Sequence, residues 1–362
     1  MEGLTAGVYR LRLEARDGAT LPADKGTMLR GGFGVALKRS VCAYRDPAVR
    51  LCTICPLRAA CVYPRLFEGD RPTGHNDAGE REHEIPRPFI FRIPPDHRAR
   101  YQPGQTLEIE FVLIGWARAY LPYVTLALSD LAEGGMGRER ARFAVREVLS
   151  IDPFGRPPLR LDVGRDDVPP YVVDWLALRQ RAALLPSDGL TLSFITPTRI
   201  VVDHRPLPRP ALPVLVSALR RRAELLLLHH CGTPWRMDMA ALDEAIAHVR
   251  ASDTRLHWVE RSRRSTRTER TMPMGGVVGH MRLEGAIMPL RPLLAFGEVL
   301  HVGKLAAFGY GQVACTSEQP PTSGVARAPD NAIAEQARCA PRQEKRAHLT
   351  ANSSETRKEA AS

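Results

Sequence analysis

No stretch of about eighteen apolar residues occurs in this chain, so no segment of it reads as a helix able to cross a bilayer. Its first residues, MEGLTAGVYRLRLEAR, lack the apolar core of a secretory signal. Together these absences point to a cytoplasmic protein without membrane attachment. Negative charge is in deficit: 51 lysines and arginines face 40 aspartates and glutamates, a formal charge of +11 over 362 residues. Such an excess of positive charge favours polyanions as partners, nucleic acid first and anionic membrane second. Two nucleotide-binding signatures are also missing. Lys304 follows a glycine but is itself followed by Leu305, so the phosphate loop G-x4-G-K-[ST] is absent. Nor does a G-x-G-x-x-G open a helix after a strand. Residues 317–362 contain almost no large apolar side chains and read as a disordered tail.

What remains is 44% hydrophobic and long enough for about two domains. VYRLRLEAR (8–16) alternates apolar and charged residues as a half-buried strand does, and LRGGFGVALKRSVCAY (29–44) carries a helical pattern. Strands are expected at 88–95, 106–117 and 140–152, with a helix over 120–137 stopped by glycines. Strand, helix, strand, strand, helix, strand is the split βαβ order of a ferredoxin-like, RRM-like domain. After a proline-rich connection at 153–187, a second round is expected. It comprises a strand at 189–203, helices at 213–232 and 239–252, strands at 255–268 and 277–288, and a closing glycine-rich unit. The resulting division is an N-terminal domain over 1–152 with a cysteine-rich insertion at 42–86, and a C-terminal domain over 188–316. The fold class is α+β, two tandem ferredoxin-like domains.

Three groups of residues carry chemistry. Cys42, Cys52, Cys55 and Cys61 are spaced C-x9-C-x2-C-x5-C. In a reducing compartment four such thiols suit a structural tetrahedral zinc ion, or remain four separate thiols. RLHWVERSRRSTRTERT (255–271) concentrates Arg261, Arg263, Arg264 and Arg267 beside Trp258. Arginine forks bind phosphate bidentately, so this hairpin is an RNA-binding candidate against the plainer reading of a solvated charge run. LHVGKLAAFGYGQV (300–313) places Gly303, Gly309 and Gly311 around Lys304, with Phe308 as an anchor in the core. Such glycines let a backbone approach a ligand and turn its amides to phosphate, or simply make tight turns.

These stretches, taken with CTICPLRAACVYPRLFEG, RPFIFRIPP, LIGWARAYLPYVTLAL and GMGRERARF, resemble one family. It is the CRISPR-associated, pre-crRNA processing endoribonucleases of the RAMP superfamily, marked by a C-terminal glycine-rich loop. The resemblance implies a basic cleft between the two domains and a single cut in CRISPR repeat RNA. The cut would be metal-independent: the ribose 2′-OH attacks the adjacent phosphate and leaves a 2′,3′-cyclic phosphate. Precursor and mature guide RNA, and a CRISPR effector complex, are the implied partners. No cofactor would be needed for catalysis. Relatives often carry a histidine near the first helix, whereas residues 29–44 offer Lys38, Arg39 and Tyr44 instead. His301, in the family loop and near Lys304, therefore ranks first for proton transfer, with Lys304 beside it as a catalytic candidate, His280 second, and the loop residues His75 and His83 after them, with Tyr44. Arg30, Lys38 and Arg39 join the hairpin arginines, Lys304 and the three loop glycines as the RNA-binding set. A non-cleaving RNA scaffold of the same superfamily is the alternative. A zinc-dependent DNA-binding regulator is a third reading, for which no recognition helix is apparent.

Overall fold

A β-strand shows opposite faces at successive residues, and the strand Thr5–Ala15 uses both. Tyr9, Leu11 and Leu13 are buried beneath helices, while Arg10 and Arg12 on the other face pair with Glu110 and Glu108 of the adjoining strand. The computed structural model describes residues 1–44, 52–68, 85–93, 98–165, 168–234, 238–264 and 271–318. Arg267, the side chain of Arg264, His75, His83 and nearly all of the expected tail lie outside the described residues.

In the first lobe, Thr5–Ala15 is followed by α1 (Gly26–Val41), strands Phe89–Arg92 and Thr106–Ile114, α2 (Leu121–Gly134) and strand Phe143–Ile151. The sheet order is Phe89–Arg92, Thr106–Ile114, Thr5–Ala15, Phe143–Ile151, every pair antiparallel. The second lobe repeats this arrangement. Gly189–Thr198 precedes α4 (Leu212–Leu226) and α5 (Met239–Ala247), then Val249–Val259, Gly276–Gly285, α6 (Arg291–Leu300) and Val313–Thr316. Its sheet order is Val249–Val259, Gly276–Gly285, Gly189–Thr198, Val313–Thr316, again antiparallel. Both lobes thus have the ferredoxin-like topology expected from the element order.

Three differences from expectation have physical causes. The stretch read as a proline-rich connection contains a helix, α3 (Trp175–Leu184), whose first turn is capped by the Asp174 carboxylate accepting from the Ala177 amide at 2.9 Å. Its preceding residues, Val173 and Asp174, join the first sheet by pairing with Ala6 and Thr5 at the start of an interior strand. Residues 249–252, read as helix, belong to the Val249–Val259 strand, because α5 already ends at Ala247. The arginine run turns at Glu260–Arg261 into a short hairpin of Ser262–Arg264 against Thr271–Pro273.

The lobes share apolar material. Ala6, Val8, Ile90, Val112 and Ile114 on the back of the first sheet join Leu178, Leu190, Leu293 and Leu300 in one core. A separate core under α1 and α2 holds Leu29, Phe33, Leu37, Phe89, Phe111 and Leu128. Met1–Pro320 accordingly forms one compact unit. Among the described residues no helix is long and apolar enough to cross a membrane.

Candidate functional site

Helix α1 contains glycines at 31, 32 and 34, a composition that costs a helix about 1 kcal/mol for each relative to alanine. Neighbours explain most of them. A Cβ at Gly32 would stand 2.5 Å from Leu131 of α2, and one at Gly34 would meet the Phe67 ring at 2.2 Å. At the start of the helix, a Cβ on Gly26 would meet the Phe308 carbonyl oxygen at 1.9 Å. The glycines therefore let α2, the turn bearing Phe67 and the glycine-rich loop of the other lobe seat directly on the α1 backbone.

Around that contact, residues far apart in sequence converge. The Arg30 guanidinium carbon lies 4.3 Å from the centre of the Phe308 ring and 4.5 Å from that of Phe67. Arg263, on the hairpin, approaches the same Phe308 ring at 5.2 Å. Its Nη2 would lie 3.7 Å from a Cβ at Gly31, so the hairpin reaches over α1. Phe308 is only half-buried, and is an aromatic ring between two arginines rather than an anchor in the core. The anchors are its neighbours Ala306 and Ala307, buried in the second and first lobes' cores respectively. The Tyr310 hydroxyl donates to Asp24 Oδ2 at 3.0 Å, and Asp24 Oδ1 accepts from the Gly26 amide at 3.2 Å. Asp24 thereby ties the start of α1 to the loop. Burial, reinforced by the Asp24 carboxylate, pushes the Tyr310 hydroxyl well above its ordinary pKa, with Arg261 opposing the shift.

The loop glycines do a different job from the one expected. Gly303, Gly309 and Gly311 all have positive φ, between 77° and 88°. A Cβ on them would collide with backbone oxygens of Arg199, Phe91 and Val302 at 2.5, 2.9 and 1.9 Å. The amides of Gly309 and Gly311 already donate to Ala306 and Pro197, and that of Lys304 to Arg199 at 2.8 Å. These amides are consumed inside the fold and do not point to a phosphate. Lys304 keeps its side chain exposed on the outer edge of the loop.

His301, first in rank from the sequence, is sealed in the core with no exposed surface. Its Nδ1 donates to the Tyr310 carbonyl at 2.9 Å, and it takes a positive φ of 61° where α6 ends. Burial, then the positive charge of Arg92, pushes its imidazole down to about 3. A ring that is neutral and shut from solvent is placed to hold the loop, not to exchange protons with a bound polyanion. His280 sits in mid-strand opposite Arg255, with Nε2 3.9 Å from Asp253. Lys38, two turns along α1 from Arg30, is over the Tyr63 ring and borders the cysteines. Arg39 turns to Asp130 of α2 at 4.0 Å. Tyr44 accepts a weak bond from the Cys42 thiol through its carbonyl. Of the expected site residues, the structure brings together Arg30, Arg263 and the loop, with Arg261 close by. It places Lys38, Arg39, Tyr44 and His280 elsewhere. Asp24, Phe67 and Tyr310 were not foreseen; the sequence signal for Phe67 was the glycine four positions after Arg30.

The four insertion cysteines are all free and line one small cavity with Lys38, Arg58, Tyr63 and Pro64. Among the described residues no three His, Cys, Asp or Glu side chains stand in a metal-ligating group.

Residues 192–313 match the profile of the CRISPR-associated endoribonuclease Cas6, and residues 4–167 match that of the AF_1859 N-terminal domain. The Cas6 endoribonuclease match falls in the second lobe and the AF_1859 match in the first. An uncharacterized protein of Archaeoglobus fulgidus is 32% identical over 117 residues, a match that spans 32% of this chain and 37% of that relative. In fold, the chain is similar to a Thermus thermophilus Cas6 product complex, at a TM-score of 0.50 and 17% identity over 86% of this chain and 99% of the other. It is also similar to a partial Cas6-RT-Cas1–Cas2 complex, at a TM-score of 0.52 and 11% identity, covering 87% of this chain and 46% of that one.

Proposed function

We propose that this protein binds CRISPR repeat RNA where α1, the arginine hairpin and the glycine-rich loop meet, and cuts it once. The observation that carries this reading is the half-exposed Phe308 ring held between Arg30 of one lobe and Arg263 of the other. Arginine supplies bidentate phosphate contacts, and an aromatic face accepts an unstacked base. The cut is attack of a ribose 2′-OH on the adjacent phosphorus, expelling the 5′-oxygen of the next nucleotide and leaving a 2′,3′-cyclic phosphate. Arg30 and Arg263 offset the charge of the pentacoordinate phosphorus, the 2′-OH proton passes to solvent water, and Lys304 protonates the departing oxygen. Tyr44 and His280 follow Lys304 in order of test. No metal ion takes part in this scheme. The product is retained as guide RNA for a CRISPR effector complex, in the cytoplasm.

A second reading is a scaffold that binds the processed RNA without cutting it. The burial of His301 favours it, because that removes the loop histidine from the reacting atoms. Incubation of the full chain with end-labelled repeat RNA under single-turnover conditions separates the two. One site-specific product supports the nuclease. Tight binding with no product supports the scaffold, and weak binding to RNA of any kind overturns both.

A further inference from the structure

Residues 52–61 form an arm with little to hold it. None of the residues described there is buried, and its two large apolar side chains, Ile54 and Leu57, are 64% and 45% exposed. A segment that buries so little apolar surface needs another restraint to keep one conformation. Its backbone nonetheless turns tightly. The Cys55 amide donates to the Cys52 carbonyl at 3.2 Å, the Arg58 amide to Cys55 at 3.0 Å, and the Cys61 amide to Leu57 at 3.0 Å. These turns bring three cysteines back to the end of α1, where Cys42 follows the last helical residue. All four then border the same small cavity.

Although no three of these side chains stand in a ligating group in this structure, all four border one cavity, and we infer that Cys42, Cys52, Cys55 and Cys61 bind one zinc ion as a structural tetrathiolate that draws the arm in against α1. The donor set is the one zinc takes in closed structural sites, and the C-x2-C turn puts two sulfurs on one side of the chain. Four thiolates around a divalent ion carry a net charge of −2. Lys38 and Arg58, both on the wall of the cavity, place positive charge beside it, with Arg58 shared with Glu68 at 3.4 Å. The four thiols lose their protons on binding, so affinity falls as pH is lowered. Three of the sulfurs come from the arm and the fourth follows the helix that carries Arg30, so the ion would join the two ahead of the turn that carries Phe67.

The test is metal analysis of the full chain, purified under reducing conditions without added metal, together with a count of reactive thiols. About one zinc per chain is expected, with at most three of the seven cysteines reacting in the native protein. All should react once a chelator and denaturant are present. The Cys52→Ser, Cys55→Ser double variant should fall below a tenth of a zinc per chain. The parent's metal content decides the matter whether or not that variant folds. Zinc below a tenth per chain overturns the inference, whether the thiols are all reactive or joined as disulfides. Stoichiometric iron with acid-labile sulfide overturns it in favour of a cluster. None of these readouts depends on RNA cleavage, so failure here leaves the nuclease reading untouched.

Discussion

His301 shows how burial reassigns a residue. Its ring bonds the Tyr310 carbonyl, and the carbonyl just before it, on Leu300, accepts from the buried Arg222 at 2.7 Å. His301→Ala removes a buried ring and a hydrogen bond together, so the expected outcome is a loss of about 2–4 kcal/mol in urea unfolding. Unchanged stability would return the residue to the list of proton-transfer candidates. His230 is also buried, donating from Nε2 to the Pro86 carbonyl at 2.6 Å, and burial pushes it down to about 4. Above the ordinary histidine value of 6.5 both rings are neutral in the folded and unfolded chain. Below it the unfolded chain takes up protons that the fold refuses, so stability falls as pH falls. Between pH 7.5 and 5 the two rings together should remove about 4 kcal/mol. Urea midpoints at the two pH values check this, and His230→Asn should remove about half of the dependence. Equal midpoints in the parent would contradict the neutral buried state.

At the scale of elements, the glycine-rich loop is a packing device, and its outer edge is the proposed RNA contact. Gly311→Ala places a Cβ 1.9 Å from the Val302 oxygen at a φ of 77°, and should cost about 2 kcal/mol or more. Gly18→Ala, with nothing within 4 Å and no positive φ, should stay within about 1 kcal/mol of the parent. Thermal unfolding of the pair separates a structural loop from a merely flexible one. For RNA, Arg30→Ala and Arg263→Ala should each weaken binding and reduce the salt slope by about one. An unchanged slope would place both side chains off the phosphate path. The element order was legible from alternation and glycine stops: Tyr9, Leu11 and Leu13 declare a strand, and Gly135 ends α2 where expected. α3 was not, because the prolines around it resemble a linker. The roles of Gly309 and Gly311 were hidden as well, since a glycine that admits backbone and a glycine that admits a ligand look the same in sequence.

The whole molecule is two ferredoxin-like lobes welded along the back of the first sheet. That weld was only half legible. Val8 and Arg10 share one strand face, yet Val8 joins the common core and Arg10 an ion-pair array. Which end of the face is covered depends on the second lobe, not on the strand. The site follows from the weld, because Arg30 and Phe308 meet only when the lobes are fixed together. A chain ending at Glu318 retains every described residue and should unfold at the parent's temperature within a few degrees and cut RNA at the parent's rate. Loss of either would show that residues 319–362 contribute to the body or to RNA. The most direct measurement is the end chemistry of cleavage by the parent and the Arg30→Glu, Arg263→Glu double variant, with EDTA added together with labelled repeat RNA. The account predicts one cut by the parent, with a 2′,3′-cyclic phosphate on the upstream fragment, and at least a hundredfold slower cutting by a variant whose unfolding midpoint is unchanged. Cleavage that stops in EDTA while zinc stays bound, or a variant that cuts at the parental rate, would contradict it.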